Sequence, residues 1–130
     1  MTSTGQRFQV IIVEDNRLLL EALADHLRAQ MFAVHALCDS SGLDALLQSQ
    51  QTHLLILDLN LPCEDGFSIA LRVRKKYPWL GILILSARKP AQPGEAWEQA
   101  VDLFLAKPVA PDALSDAVHR LCALTSSRRI

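Results

Sequence analysis

The chain has 130 residues, 13 basic against 14 acidic side chains, a net charge of −1 and a half-hydrophobic composition. That is the size of one domain with one core, burying roughly two-thirds of its unfolded surface. The near-neutral charge excludes the basic footprint of a nucleic-acid-binding face, and charged residues interrupt every stretch short of the roughly 20 apolar residues of a membrane span. Residues 1–7 lack the basic and apolar segments of a signal peptide and are expected as a disordered lead-in. Cys38, Cys63 and Cys122 form no Cys-x-x-Cys pair, which fits reduced thiols in a cytoplasmic protein. His26, His35, His53 and His119 share no metal-binding spacing.

Short apolar runs alternate with segments of helical period, the pattern of βα units around a parallel sheet. The first strand is expected at 8–13, ending at Glu14 and Asp15, and the first helix buries Leu19, Leu23 and Leu27. The second strand, 32–37, is broken by His35 and suits a sheet edge. A helix over 41–50 follows, capped by Ser41 or Ser40, with Leu43, Leu46 and Leu47 inward. The third strand, 54–58, ends in Asp58. The third helix starts at Asp65-Gly66, turns Phe67, Ala70 and Leu71 inward, and reaches Tyr77, where Pro78 stops it. Its basic group Arg72, Arg74, Lys75 and Lys76 reads as a solvated face. The fourth strand, 82–85, is continuous enough to be buried on both faces and stops at Ser86. Pro90, Pro93 and Gly94 leave room only for a short fourth helix starting near Pro93. The fifth strand, 102–105, leads to Lys107-Pro108. The fifth helix runs from Pro111 to about Leu124, with Leu114, Val118 and Leu121 inward. The domain then spans 8–124, and residues 125–130 form a frayed tail.

Right-handed crossovers bring every strand-to-helix turn to one sheet edge, where α/β proteins bind ligands. Glu14, Asp15 and Asp58 meet there. Clustered carboxylates stay ionised only beside a counter-charge, either a divalent cation or Lys107. Mg2+ is the natural cation, since it takes oxygen ligands and binds through one or two carboxylates plus phosphate. Asp58 is then an oxygen nucleophile toward phosphorus, with Lys107 and Ser86 on the phosphoryl oxygens. Singly each residue is ordinary: Asp15, Asn16 and Asp65 can cap helices, Ser86 can end a strand, and Lys107-Pro108 can leave one. The functional reading rests on their combination at successive strand ends.

Residues 8–124 resemble the receiver domains of two-component response regulators. The likeness lies in the acid pair after the first strand, Asp-x-Asn-x-Pro-x-x-Asp-Gly from Asp58 to Gly66, Ser86-Ala87, and Phe104 three residues before Lys107-Pro108. The resemblance implies an α/β, flavodoxin-like, doubly wound fold with five parallel strands in the order 2-1-3-4-5 and helices on both faces. It implies that Asp58 is the phosphoacceptor, that Mg2+ is held by Asp15, Asp58 and the Asn60 backbone carbonyl, and that Glu14 holds a metal-bound water. Lys107 then pairs with a phosphoryl oxygen, Lys107-Pro108 is cis, and Ser86 and Phe104 are switch residues. The implied donor is a sensor histidine kinase, and dephosphorylation is by water, so the domain labels and unlabels itself and is not a turnover enzyme. Output passes through the fourth helix, fifth strand and fifth helix, to a homodimer or to a DNA-binding domain outside this chain that controls transcription.

Two departures bear on that output face. The interval from Ser86 to Lys107 is one residue shorter than usual, and Leu103 and Ala117 stand where family members often pair an acid with a base, so a more apolar dimer face is expected. Among rivals, a flavin carrier would need a hydroxyl- and glycine-rich phosphate loop where Glu14 and Asp15 stand. An aspartate-nucleophile phosphatase would carry Asp in place of Asn60. A phosphorylation-independent interaction module of the same fold is the remaining alternative.

Overall fold

The computed structural model describes residues 7–87 and 99–128. Its elements are β1 (Gln9–Val13), α1 (Arg17–Ala29), β2 (Ala33–Leu37), α2 (Leu43–Ser49), β3 (Leu54–Asp58), α3 (Gly66–Lys76), β4 (Gly81–Ser86), β5 (Leu103–Ala106) and the C-terminal helix α4 (Pro111–Arg128). The expected start of a helix near Pro93 and the side chain of Trp97 lie outside the described residues, although residues 99 and 100 are helical. All strands are parallel in the order β2-β1-β3-β4-β5, as the resemblance implies.

Alternation along each strand divides the core in two. Val10, Ile12, Leu54, Ile56, Leu83 and Leu85 pack with α1 and α4, while Ile11, Val13, Leu55, Leu57, Ile82 and Ile84 pack with α2 and α3. This is why β1, β3 and β4 read as unbroken apolar runs: both faces are covered. At roughly 1.5–3 kcal/mol per buried aliphatic side chain, these two layers are the main stabilising term. Among the described residues no helix is long and apolar enough to cross a membrane.

Asn16 caps α1 by accepting the Leu19 amide at 3.2 Å, and the buried stripe is Leu20, Leu23, Ala24 and Leu27, with Leu19 only partly covered. The helix ends in a Schellman motif. Met31 N donates to Arg28 O at 3.0 Å, Phe32 N donates to Leu27 O at 3.2 Å, and Met31 takes φ 74°. A left-handed backbone disfavours any residue with a Cβ, and the Met31 side chain is largely exposed. Met31→Gly is therefore expected to stabilise the fold by about 0.5–1 kcal/mol, read as a higher urea midpoint at unchanged slope.

Four local expectations need correction. First, α2 starts at Leu43, because the Asp39 carboxylate accepts from Ser41 N (2.9 Å) and Ser41 Oγ (2.6 Å); that local turn holds Ser41 outside the helix and leaves Gly42 as an N-cap with no side-chain bond. Second, α3 presents Ile69, Ala70 and Val73 to the core, with Phe67 and Leu71 only half-buried, and Asp65 stands at its N-cap without a capping bond.

Third, the basic run of α3 is not wholly a solvated face. Arg74 donates to the carbonyls of Ala100 (3.1 Å), Pro78 (2.9 Å) and Leu80 (2.6 Å), and from Nη2 to Asp102 Oδ2 at 2.8 Å. Fourth, the tail expected to fray from residue 125 is helical through Arg128. Thr125 is buried, with Oγ1 2.7 Å from His53 O and 3.0 Å from Leu121 O, and Arg128 Nη2 donates to Asp102 Oδ1 at 2.7 Å.

Asp102 joins α3, β4 and α4, since its Oδ2 also accepts the Ile82 amide at 2.9 Å. Burial alone would raise its pKa, but the Arg128 bond, the Ile82 amide and the Arg74 charge together hold it below the usual carboxylate value. A lowered folded pKa gives stability that is present above the unfolded value near 4 and is lost as pH falls through the folded value. Asp102→Asn is thus expected to cost about 2 kcal/mol at pH 7, with the gap from the native chain closing below pH 4 in urea melts.

Candidate functional site

Each acid is delivered by a strand end. Glu14 continues the β1 ladder through its amide to Leu37 O at 3.0 Å and is buried, while the next residue, Asp15, is exposed. Asp58 closes β3 and is buried at 6% exposure. Carboxylate oxygens of Glu14, Asp15 and Asp58 all lie within 4.8 Å of one another.

Lys107 reaches this group from the exit of β5, where its amide donates to Ser86 O at 2.8 Å and the Lys107–Pro108 peptide is cis. Its Nζ donates to Glu14 Oε1 at 2.6 Å and lies 3.4 Å from Asp58 Oδ2. Ser86 is fully buried at the end of β4, paired with Ala106. Phe104 is half-buried against the layer containing Ile84 and Val101.

The electrostatics follow from three acids around one ammonium. Burial, more than any other influence, raises the Glu14 pKa, and Asp58 adds to it; the Lys107 and Asn16 N–H bonds only partly offset this. Burial would lower the Lys107 pKa, but bonding to Glu14 and attraction to both Glu14 and Asp58 hold it above the usual value. With all three acids ionised the cluster keeps two negative charges after Lys107 is counted, an arrangement that favours a further cation.

The donor set fits a small divalent ion: every side-chain ligand is a carboxylate oxygen, and Asp15 opens onto a groove of roughly 330 Å³ with room for retained water. The groove is walled by the loop from Leu59 to Asp65.

That loop is held at both ends. Asn60 N donates to Asp58 Oδ1 at 3.1 Å, and Gly66 N donates to Leu59 O at 3.0 Å. A Cβ on Gly66 would overlap the Asp58 carbonyl oxygen and stand 2.9 Å from Leu59 Cα. Gly66 was legible as the start of a helix, but its close approach to the acid-bearing strand was not. One further residue, Glu64, escaped the sequence reading, and Arg72 reads there only as part of a solvated face. Glu64 lines the groove, and Arg72 on α3 pairs with it.

Sequence and structure comparisons agree with this geometry. The family model for the response regulator receiver domain matches residues 10–119. The transcriptional regulatory protein PmrA of Pectobacterium parmentieri is 37% identical over 118 residues, covering 87% of this chain and 51% of that protein. The transcriptional regulatory protein TctD of Salmonella typhimurium is 32% identical over 114 residues, with the same coverage. The chain thus spans about half the length of these curated relatives. A crystal structure of a CheY-like response regulator receiver domain protein from Methanospirillum hungatei superposes with a TM-score of 0.86 at 16% identity, covering 94% of this chain and 98% of that one, a likeness of fold. On the family model and these relatives, the chain belongs to the response regulator receiver domain family.

Proposed function

We propose that this receiver domain accepts a phosphoryl group on Asp58 from a phosphohistidine of a sensor kinase and is reset by water. The observation that carries the reading is Lys107 Nζ lying between Glu14 and Asp58 beside an exposed third acid. Asp15, Asp58 and the Asn60 carbonyl would hold Mg2+, and Glu14 a water bound to it. Bound there, the ion would neutralise the acid cluster and the incoming phosphoryl oxygens.

The Asp58 carboxylate oxygen attacks phosphorus, the bond from phosphorus to the histidine nitrogen breaks, and that nitrogen takes a proton as it leaves. Lys107, already between two carboxylates, turns to a phosphoryl oxygen, and the Ser86 hydroxyl donates to another. In the separate reset step a water oxygen attacks phosphorus, the bond from phosphorus to the Asp58 oxygen breaks, the water's protons pass to solvent and phosphate, and the Asp58 carboxylate is restored. The domain is thus modified and restored once per signal, without turnover of a substrate in the enzymatic sense.

Loading of Asp58 biases Ser86 and Phe104, and through them β5, α4 and the helical segment before β5. The relatives named as transcriptional regulators support an output domain that binds DNA, and a homodimer through that face belongs to the same proposal. A cytoplasmic setting suits both this chemistry and the free thiols of Cys38, Cys63 and Cys122.

The test is intact mass after incubation with Mg2+ and a small-molecule phosphodonor. One hydroxylamine-labile phosphoryl adduct is expected. A folded, Mg2+-saturated chain that gains none would instead be a phosphorylation-independent interaction module.

A further inference from the structure

The acidic groove has an outer wall that the transfer chemistry does not use. Glu64 lines it together with Asp15 and Asn60, and both carboxylate oxygens of Glu64 are engaged. Ser40 Oγ, from the turn after β2, donates to Oε1 at 3.3 Å, and the Arg72 guanidinium pairs with Oε2. Arg72 also reaches Asp44 in the first turn of α2, with Nη2 3.8 Å from Oδ1. The Arg72 and Glu64 side chains are 42% and 34% exposed. An ion pair this open to water contributes little to folding stability. Its position matters more, because it ties a fourth carboxylate back from a cluster that already carries excess negative charge.

We infer that Arg72 is a positioning residue that holds Glu64 against Ser40 at the rim of the groove and thereby sets how tightly the site takes a divalent cation. The inference rests on the metal-dependent reading given above. Without the guanidinium, Glu64 is free to swing toward Asp15, and one unit charge is added to the field acting on a divalent ion. Across a solvated groove that is expected to tighten cation binding about threefold to fivefold, with the effect shrinking as salt screens it.

Calorimetric titration with MgCl2 alone tests this on the native chain and on Arg72→Met, which keeps the aliphatic stem. Arg72→Met is expected to bind Mg2+ about threefold to fivefold more tightly. Adding Glu64→Gln to that variant should return the native affinity, whereas adding Asp44→Asn, which restores the same net charge away from the groove, should leave it raised. Unchanged or weaker binding by Arg72→Met overturns the inference, as does equal restoration by Asp44→Asn, which would reduce it to bulk charge. A native chain that takes no Mg2+ is a different failure, and it removes the metal-dependent reading itself. Urea melts without Mg2+ separate any loss of fold from these outcomes.

Discussion

Asp58→Asn is expected to abolish the phosphoryl adduct while leaving the fold in place. The amide is nearly isosteric with the carboxylate but lacks the anionic oxygen that attacks phosphorus, so labelling should fall at least about 100-fold. Folding should survive because each partner of Asp58 keeps a bond. The Asn60 amide, 3.1 Å from Asp58 Oδ1, can still be met by the Asn side-chain oxygen, and Lys107 keeps Glu14 at 2.6 Å.

The substitution also removes one of the three clustered negative charges, which relieves repulsion when Mg2+ is absent. Metal-free stability is expected within about 1 kcal/mol of the native chain. Lys107→Met would be a poorer test, since it strands a Glu14 carboxylate that is 2% exposed and couples loss of chemistry to loss of fold. Intact mass and urea melts on one preparation check both halves. A persisting adduct would place the acceptor elsewhere, and the other acids of the groove would be the first to examine.

The parts of this site that were legible in the sequence are those fixed by strand ends. A parallel strand covered on both faces is apolar along its length, so Glu14, Asp58 and Ser86 stand out as the polar ends of the β1, β3 and β4 runs, and Lys107 follows the half-buried strand β5. The family resemblance added roles to those positions and the order of the strands.

What escaped was set by partners distant in sequence. The Ser126-Ser127 stretch has poor helix propensity and reads as a stop, yet the buried Thr125 hydroxyl against His53 O and the Arg128 pair with Asp102 carry α4 past it. Arg72 and Arg74 look alike on one helix. The structure nevertheless sends Arg74 inward to three carbonyls and an acid and sends Arg72 to the groove rim. The start of α2 was lost to a different cause, a short Asp39 turn that competes with the helix within three residues.

Gly66→Ala is expected to be the most damaging exchange of one small side chain for another. It should cost about 3 kcal/mol and reduce the labelling rate about 100-fold. The cause is a close approach and not an unusual dihedral angle. The added methyl would overlap the Asp58 carbonyl oxygen and lie 2.9 Å from Leu59 Cα and 3.1 Å from the Asp58 carbonyl carbon. All three are backbone atoms, so no rotamer change relieves the overlap, and either α3 or the end of β3 must move.

Movement there shifts the acid itself, because Gly66 N is bonded to Leu59 O and Asn60 N to Asp58 Oδ1. A displacement of about 1 Å is enough to spoil in-line attack on phosphorus. Gly42→Ala is the control. A Cβ at Gly42 meets only Leu37 Cδ2 at 3.9 Å, and the change should cost no more than about 1 kcal/mol, with labelling intact. If Gly66→Ala proved as mild as Gly42→Ala in urea melts and in labelling, the junction of β3 and α3 would be pliable, and the position of Asp58 would have to be fixed by Lys107 and the acids alone.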